Sequence, residues 1–326
     1  MKPFAYTSAE SVAEAIAILA QEGGNGTRPL AGGTDLLTLM KSEIETPTHL
    51  VDIKRASDLS DAIEATDDGV MLGALTTLAQ IERHEVLRER FPAVAQAAGL
   101  AATPQLRNMA TIAGNLLQRP RCWYYRSDKV ECWLKGGADC PARDGENQLH
   151  ALFPADPCVA VHPSDLASAL LAFDAGLTVR GPGGERRIAL DDFFAMPEND
   201  RRTENLLRAD ELIIAVHLPA PDSVVRSVYL KAMDRNVWAF ALVGVALAAR
   251  LEGTRIAAAR LVLSGVAPIP WRVPAAEELL VGRDLGSIDA EQMADAALAD
   301  AQPLRLNGYK VPLAKALIKR ALAEIG

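Results

Sequence analysis

The sequence predicts an α+β fold in two domains, and three features carry that prediction. In the first part of the chain, helical stripes such as Val12, Ala15, Ile16 and Leu19 alternate with short strand-like runs such as His49-Leu-Val-Asp-Ile53. A Pro219-Ala-Pro221 break follows. Beyond it, Val228 to Met233, Ala239 to Arg250 and Ile256 to Leu263 form a meander of three strands, and helical patterns follow near Pro274 to Val281, Asp289 to Ala301 and Gly308 to Ile325.

Each element has a local reason. Ser8 to Gln21 is expected to be an amphipathic helix, with Ser8 or Ser11 as N-cap and Gly23-Gly24 as stop. Arg28-Pro-Leu30 reads as a short strand, followed by a glycine turn and a helix through Leu36, Leu37, Leu39 and Met40. Short strands at 49–53, 62–65 and 70–74 precede helices at Thr77 to Arg83 and Val86 to Ala98. Leu177 to Arg180 and Arg187 to Leu190 pair as a hairpin across Gly181-Pro-Gly-Gly184, and Glu211 to Leu218 is a further strand. The expected division is 1–221 and 222–326, with an inserted arm at about 119–160.

Composition limits the function. The 326 residues are 49% hydrophobic and 23% charged with a net charge of −8, the profile of a globular protein with large cores. No basic run offers to neutralise a phosphate backbone, so no nucleic-acid partner is expected. The longest nearly unbroken apolar run, Ala239 to Ala249, is far short of the ~20 residues of a membrane helix. Membrane insertion is not expected. The N-terminus, interrupted by Ser8, Glu10 and Glu14, lacks the apolar stretch of a secretory signal. The expected location is therefore cytoplasmic, or periplasmic by way of a signal on a partner.

Two turns carry candidate binding chemistry. In Leu30-Ala31-Gly32-Gly33-Thr34-Asp35-Leu36, adjacent glycines let successive backbone N–H groups converge on one anion, and the helix that follows adds its positive end. The pattern is neither a Walker loop nor a Gly-x-Gly-x-x-Gly fingerprint. About seventy-five residues later, Thr111-Ile-Ala-Gly114-Asn115 offers a hydroxyl, a glycine amide and a side-chain amide in five residues. Both turns also occur as plain structure. In His162-Pro-Ser-Asp165, Asp165 has the chemistry to accept from a ribose hydroxyl or adenine amine, with a helix N-cap as the structural alternative.

All four cysteines, Cys122, Cys132, Cys140 and Cys158, fall within 37 residues, separated by nine, seven and seventeen residues. The segment is rich in Lys, Arg, Gly and aromatics, has no clear period, and is expected to be too polar to bury cysteines as core residues. Disulfides, a zinc site and an iron-sulfur cluster compete. Zinc thiolates usually come in Cys-x2-4-Cys pairs, absent here. Disulfides suit small exported domains. The spacing leans towards a 4Fe-4S cluster, whose four cysteine ligands tolerate variable separation.

Taken together, Leu30-Ala-Gly-Gly-Thr-Asp-Leu36, Arg107-Asn-x-Ala-Thr-Ile-Ala-Gly-Asn-Leu116, His162-Pro-Ser-Asp165, and Ser264-Gly-Val-Ala-Pro268 with Trp271-Arg272 resemble the FAD-binding subunits of molybdenum hydroxylases. The resemblance spans essentially the whole chain. It implies an FAD-binding PCMH-type, vanillyl-alcohol-oxidase-like fold of two subdomains plus a C-terminal domain with a three-stranded antiparallel sheet and helices. FAD is expected on Leu30 to Leu36, Thr111, Gly114 and Asn115, with Asp165 on the ribose or adenine side. Lys231 is expected near the flavin or its phosphates, although a strand Lys at a domain boundary is usually only a solvated charge.

The four-cysteine arm, with Leu116-Leu-Gln-Arg119 before it, is most similar to the FAD and 4Fe-4S subunit of bacterial periplasmic aldehyde oxidoreductases. That likeness implies Cys122, Cys132, Cys140 and Cys158 as cluster ligands. It also implies a heterotrimer with a small subunit carrying two 2Fe-2S clusters and a large molybdenum-cofactor subunit, with electrons leaving FAD for an external acceptor. The flavin subunit of a 4-hydroxybenzoyl-CoA reductase is the alternative within the family. A self-sufficient flavin reductase would need a substrate acid or base in the second domain, where none stands out, and a cluster-bearing scaffold with an empty flavin fold would lack flavin colour.

Overall fold

The computed structural model describes residues 1–21, 26–220 and 223–326. The expected Gly23-Gly24 stop and the Pro221 boundary lie outside these residues.

Three sheets organise the chain. The first is parallel, with Ala5–Ser8 and Thr27–Leu30 flanking His49–Asp52. The helix Val12–Gln21 buries the expected stripe of Val12, Ala15, Ile16 and Leu19 beside it. Ser11 Oγ accepts from the Glu14 amide at 3.1 Å, as an N-cap does. Sequence reading put Ser8 inside that helix, whereas Ala5–Ser8 is a strand. Its four residues are too few to show a period against the helical pattern that follows. Pro29 sits on an edge strand, where its missing N–H is tolerated.

The second sheet has five antiparallel strands in the order Ile63–Thr66, Gly69–Gly73, Leu212–Pro219, Gly176–Gly181, Gly184–Ala189. Helices Leu78–Arg83, Glu85–Arg90, Pro92–Leu100 and Asp165–Leu171 share its core. The helical spacing over Val86 to Ala98 is divided at Phe91, and Pro92 starts the second helix, where its missing N–H is tolerated.

The third sheet is antiparallel, in the order Trp271–Arg272, Arg255–Ser264, Val243–Glu252, Val224–Ala232. The two-residue strand Trp271–Arg272 adds a fourth member to the expected meander. Alternation along Val243–Glu252 joins the domains: Ala246 and Ala248 face the helices of the first part, while Val243, Val245, Leu247 and Ala249 face Ala290–Ala297 and Lys310–Ile325. Among the described residues no helix is long and apolar enough to cross a membrane.

Between Leu117 and Ser164 the chain holds one regular turn, Trp133–Lys135. It is nonetheless well packed. Leu152 and Phe153 enter the core of the C-terminal sheet, and Phe153 stacks on Trp271 with ring centres 4.6 Å apart. The arm also buries Cys132 and Cys158 with Tyr125, Trp133, Leu134 and Leu39, against the expectation that so polar a segment leaves no room for buried cysteines. Its few aromatic and aliphatic residues converge there, while Arg119, Arg121 and Arg126 turn inward onto Glu204 and Asp35.

Candidate functional site

The two small-residue turns touch through their backbones. A Cβ on Gly32 would sit 1.8 Å from the Met109 carbonyl oxygen, so only glycine lets the strands meet there. Gly33 has φ +70°, the left-handed region that a Cβ disfavours. The first turn ends at Leu36–Lys41 and the second opens Ile112–Leu116, whose leading amides are held internally: Ile112 and Ala113 donate to the Thr76 and Ala74 carbonyls, and Gly114 to Thr111 Oγ1.

The two turns border a cavity of about 280 Å³, near the lower end of ligand pockets at roughly 300–1,000 Å³. Leu30, Ala31, Gly32, Gly33, Thr34, Asp35, Leu36, Thr111, Gly114 and Asn115 all line it. Two of these groups have internal duties. Thr111 Oγ1 accepts from the Gly114 amide at 3.2 Å, leaving its own proton to donate. Asn115 Oδ1 accepts from Ser164 Oγ at 2.5 Å, leaving its side-chain NH2 to donate.

Asp165 and Lys231 are brought together, but with each other. Asp165 caps no helix end through its side chain; Ser164 does, accepting from the Ala167 amide. The buried Asp165 carboxylate accepts from Lys231 Nζ at 2.7 Å and from the Tyr229 hydroxyl at 2.6 Å. Tyr229 reaches Ser264, and Ser264 donates to Ser168. Burial, then the Asp165 charge, hold the Tyr229 phenol well above its usual range. Neither Asp165 nor Lys231 lines the 280 Å³ cavity; they form a polar joint between domains, one residue from the Ser164–Asn115 bond. His162, in the same turn, is buried and held neutral, its pKa pushed down to about 3.

The arm supplies residues that motif reading missed. Gln118, Arg119 and Arg121 line the cavity. Arg119 pairs with Glu204 at 2.7 Å, Arg121 and Arg126 both pair with Asp35, at 3.0 and 2.8 Å, and the Arg119 amide donates to the other Asp35 oxygen at 2.8 Å. Asp35 thus clamps the arm to the first turn. The visible signal was the basic run Gln118-Arg-Pro-Arg121 immediately after the second turn.

The four cysteines are free thiols, Cys132 and Cys158 buried and Cys122 and Cys140 half-buried. Cys122 lies within electrostatic reach of Cys132 and Cys140, and Cys140 within reach of Cys158. Their protonation is uneven. Burial pushes the Cys122 thiol up to about 11, whereas the neighbouring Cys158 thiol pulls Cys140 down to about 6 and is itself raised by it. Backbone N–H groups face every sulfur: Tyr124 and Tyr125 at Cys122, Leu134 and Lys135 at Cys132, Ala142 and Val159 at Cys140, and Ala160 at Cys158. His150 Nε2 stands 3.2 Å from Cys122 Sγ. Burial and the nearby Lys310 ammonium push His150 down to about 4, outweighing the upward pull of the Asn147 carbonyl. Among the described residues no group of three or more His, Cys, Asp or Glu side chains is placed to hold a single metal ion.

These features define a flavoprotein of a known kind. Residues 2–221 match the family described as the FAD binding domain in molybdopterin dehydrogenase, and residues 228–325 match the CO dehydrogenase flavoprotein C-terminal domain. The chain belongs to the FAD-binding medium subunits of the molybdenum hydroxylases and is an oxidoreductase subunit. It is 39% identical to the aldehyde oxidoreductase FAD-binding subunit PaoB of Escherichia coli (strain K12), over 99% of this chain and 98% of that one. The carbon monoxide dehydrogenase medium chain of Hydrogenophaga pseudoflava is 29% identical over 98% of this chain and 96% of its own. A solved carbon monoxide dehydrogenase from that organism superposes with a TM-score of 0.78 at 28% identity, covering 99% of this chain and 97% of that one. The α+β architecture with its antiparallel C-terminal sheet is therefore that of the family.

Proposed function

We propose that this chain is the FAD-binding electron-transfer subunit of a heterotrimeric molybdenum-containing aldehyde oxidoreductase. Its partners are a small subunit with two 2Fe-2S clusters and a large molybdenum-cofactor subunit that oxidises the aldehyde. The observation that carries this reading is the cavity itself: two small-residue turns build it, the first dependent on glycine, and a four-thiol arm forms part of its wall. The aldehyde class rests on the similarity to PaoB across both chains.

The residues fit FAD. The Gly32–Gly33 contact leaves backbone rather than side chain facing the cavity, as a diphosphate requires. In this reading the amides of Gly32 to Asp35 and the groups of Thr111, Gly114 and Asn115 hold the diphosphate, flanked by Leu30, Ala31 and Leu36. Asp165 and Lys231 act from behind, through Ser164, to fix Asn115. When bound, FAD supplies the redox chemistry, accepting electrons from the partner clusters and giving them to an external acceptor. The protein binds, orients and shields it.

The arm fits a 4Fe-4S cluster on Cys122, Cys132, Cys140 and Cys158. The donor set is four soft thiols, each met by backbone N–H groups that favour the thiolate form. A lone zinc ion needs all its sulfurs at about 2.3 Å from one point. A four-iron cluster gives each thiolate its own iron, so the thiols need not meet at a point.

The test is anaerobic addition of aldehyde to the purified complex and to this chain alone. The flavin's visible absorbance is expected to bleach in the complex and to persist in the isolated chain. Bleaching of the isolated chain would instead assign a self-sufficient flavin reductase.

A further inference from the structure

We propose that Arg121, carried by the cysteine arm, is a direct ligand of the FAD diphosphate. This rests on the reading that the diphosphate lies on the Gly32–Gly33 turn.

Charge accounting around the cavity singles this residue out. Six charged side chains line it: Arg28, Asp35, Glu45, Arg119, Arg121 and Glu211. Arg28 pairs with Glu45 at 3.3 Å, Arg119 with Glu204 at 2.7 Å, and Glu211 with Arg186 and Arg208 at 3.0 and 2.9 Å. Asp35, like Glu211, faces two guanidinium groups, Arg121 and Arg126, but of the four arginines on these two carboxylates Arg121 is the one that lines the cavity. One positive charge is left over beside the first turn.

Arg126 and Arg121 differ in how well they are satisfied. Arg126 also donates to the Pro120 and Arg119 carbonyls and to Thr38 Oγ1, and it does not line the cavity. Among the described residues Arg121 reaches only Gln118 Oε1 besides Asp35, and its Nε is buried with no acceptor. Its guanidinium lies 4.8 Å from the Phe240 ring centre, and the side chain lines the cavity. A buried guanidinium with an idle N–H is costly unless an anion completes it, and a planar fork suits phosphate oxygens. The diphosphate of FAD is the anion this cavity is built to receive.

Arm and flavin site are thereby one unit, since the cation that completes the cradle sits one residue from Cys122.

The experiment titrates the flavin-stripped, full-length chain with FAD, following flavin fluorescence, with ADP as competitor. Arg121→Met is expected to weaken FAD and ADP alike by roughly ten- to hundredfold, the worth of a charge-assisted hydrogen bond. Arg121→Lys should fall between, keeping charge without the fork. Arg126→Met loosens the same Asp35 clamp without touching ligand and should cost much less. Equal losses in Arg121→Met and Arg126→Met, or wild-type affinity in Arg121→Met, would overturn the proposal. Gly33→Val separates the two readings: if it too leaves FAD binding intact, the cradle is misplaced, whereas loss only in Gly33→Val leaves the cradle and removes Arg121.

Discussion

The glycine turns and the cysteine arm meet at Asp35, yet they hold their shapes by different means. The turns are fixed by backbone packing: Gly32 against the Met109 carbonyl, Gly33 in the left-handed region, and each turn wedged between a strand or bridge and a helix. The arm has almost no regular backbone structure. It is tied down by side chains reaching carbonyls and carboxylates: Arg119, Arg121 and Arg126 towards the first domain, Asn307 and the buried Lys310 towards the second. Lys310 is fully buried with only carbonyl acceptors, and burial pulls its pKa down to about 7. A site built on backbone fails all at once when a side chain intrudes. A site built on many polar ties loosens in steps.

The sharpest way to break this comparison is Gly33→Val. A β-branched residue at φ +70° is strained and places methyl groups where amides must face phosphate, with Leu30 and Leu37 already within 3.2 Å of the added Cβ. Flavin retention should be lost completely, measured as the FAD content of the purified chain. Full FAD occupancy would show that the turn does not carry the cofactor.

Both turns were legible in the sequence because glycine pairs and a Thr-x-x-Gly-Asn pattern are local signals. The helices and most strands were legible through their periods, down to the buried stripe of Val12–Gln21. The partners of Asp165 and Lys231 were not. Each was read as a group facing ligand, whereas in the fold they neutralise one another across 66 positions of sequence. Arg121 was hidden for a similar reason. Its role depends on a count of buried charges that only the folded cavity reveals.

A smaller effect tests the joint between domains. Lys231→Met removes one partner of an ion pair whose side chains are 1% and 4% exposed. The orphaned Asp165 should cost about 3–5 kcal/mol of stability, read as a lowered midpoint in thermal or denaturant unfolding. FAD affinity should fall less than in Gly33→Val, because Lys231 does not line the cavity. A variant as stable as the parent but unable to hold FAD would move Lys231 from the joint to the cofactor.

The central claim, that one chain joins a backbone-built flavin site to a thiol-built cluster site, is tested most directly by cofactor stoichiometry. The chain expressed without partners is assayed for FAD, iron, zinc and acid-labile sulfide, beside its Cys132→Ser variant. The account predicts one FAD with about four irons and matching sulfide in the parent, and lost iron with retained FAD in the variant. One zinc with no sulfide, or a chain that holds neither flavin nor iron, would contradict it.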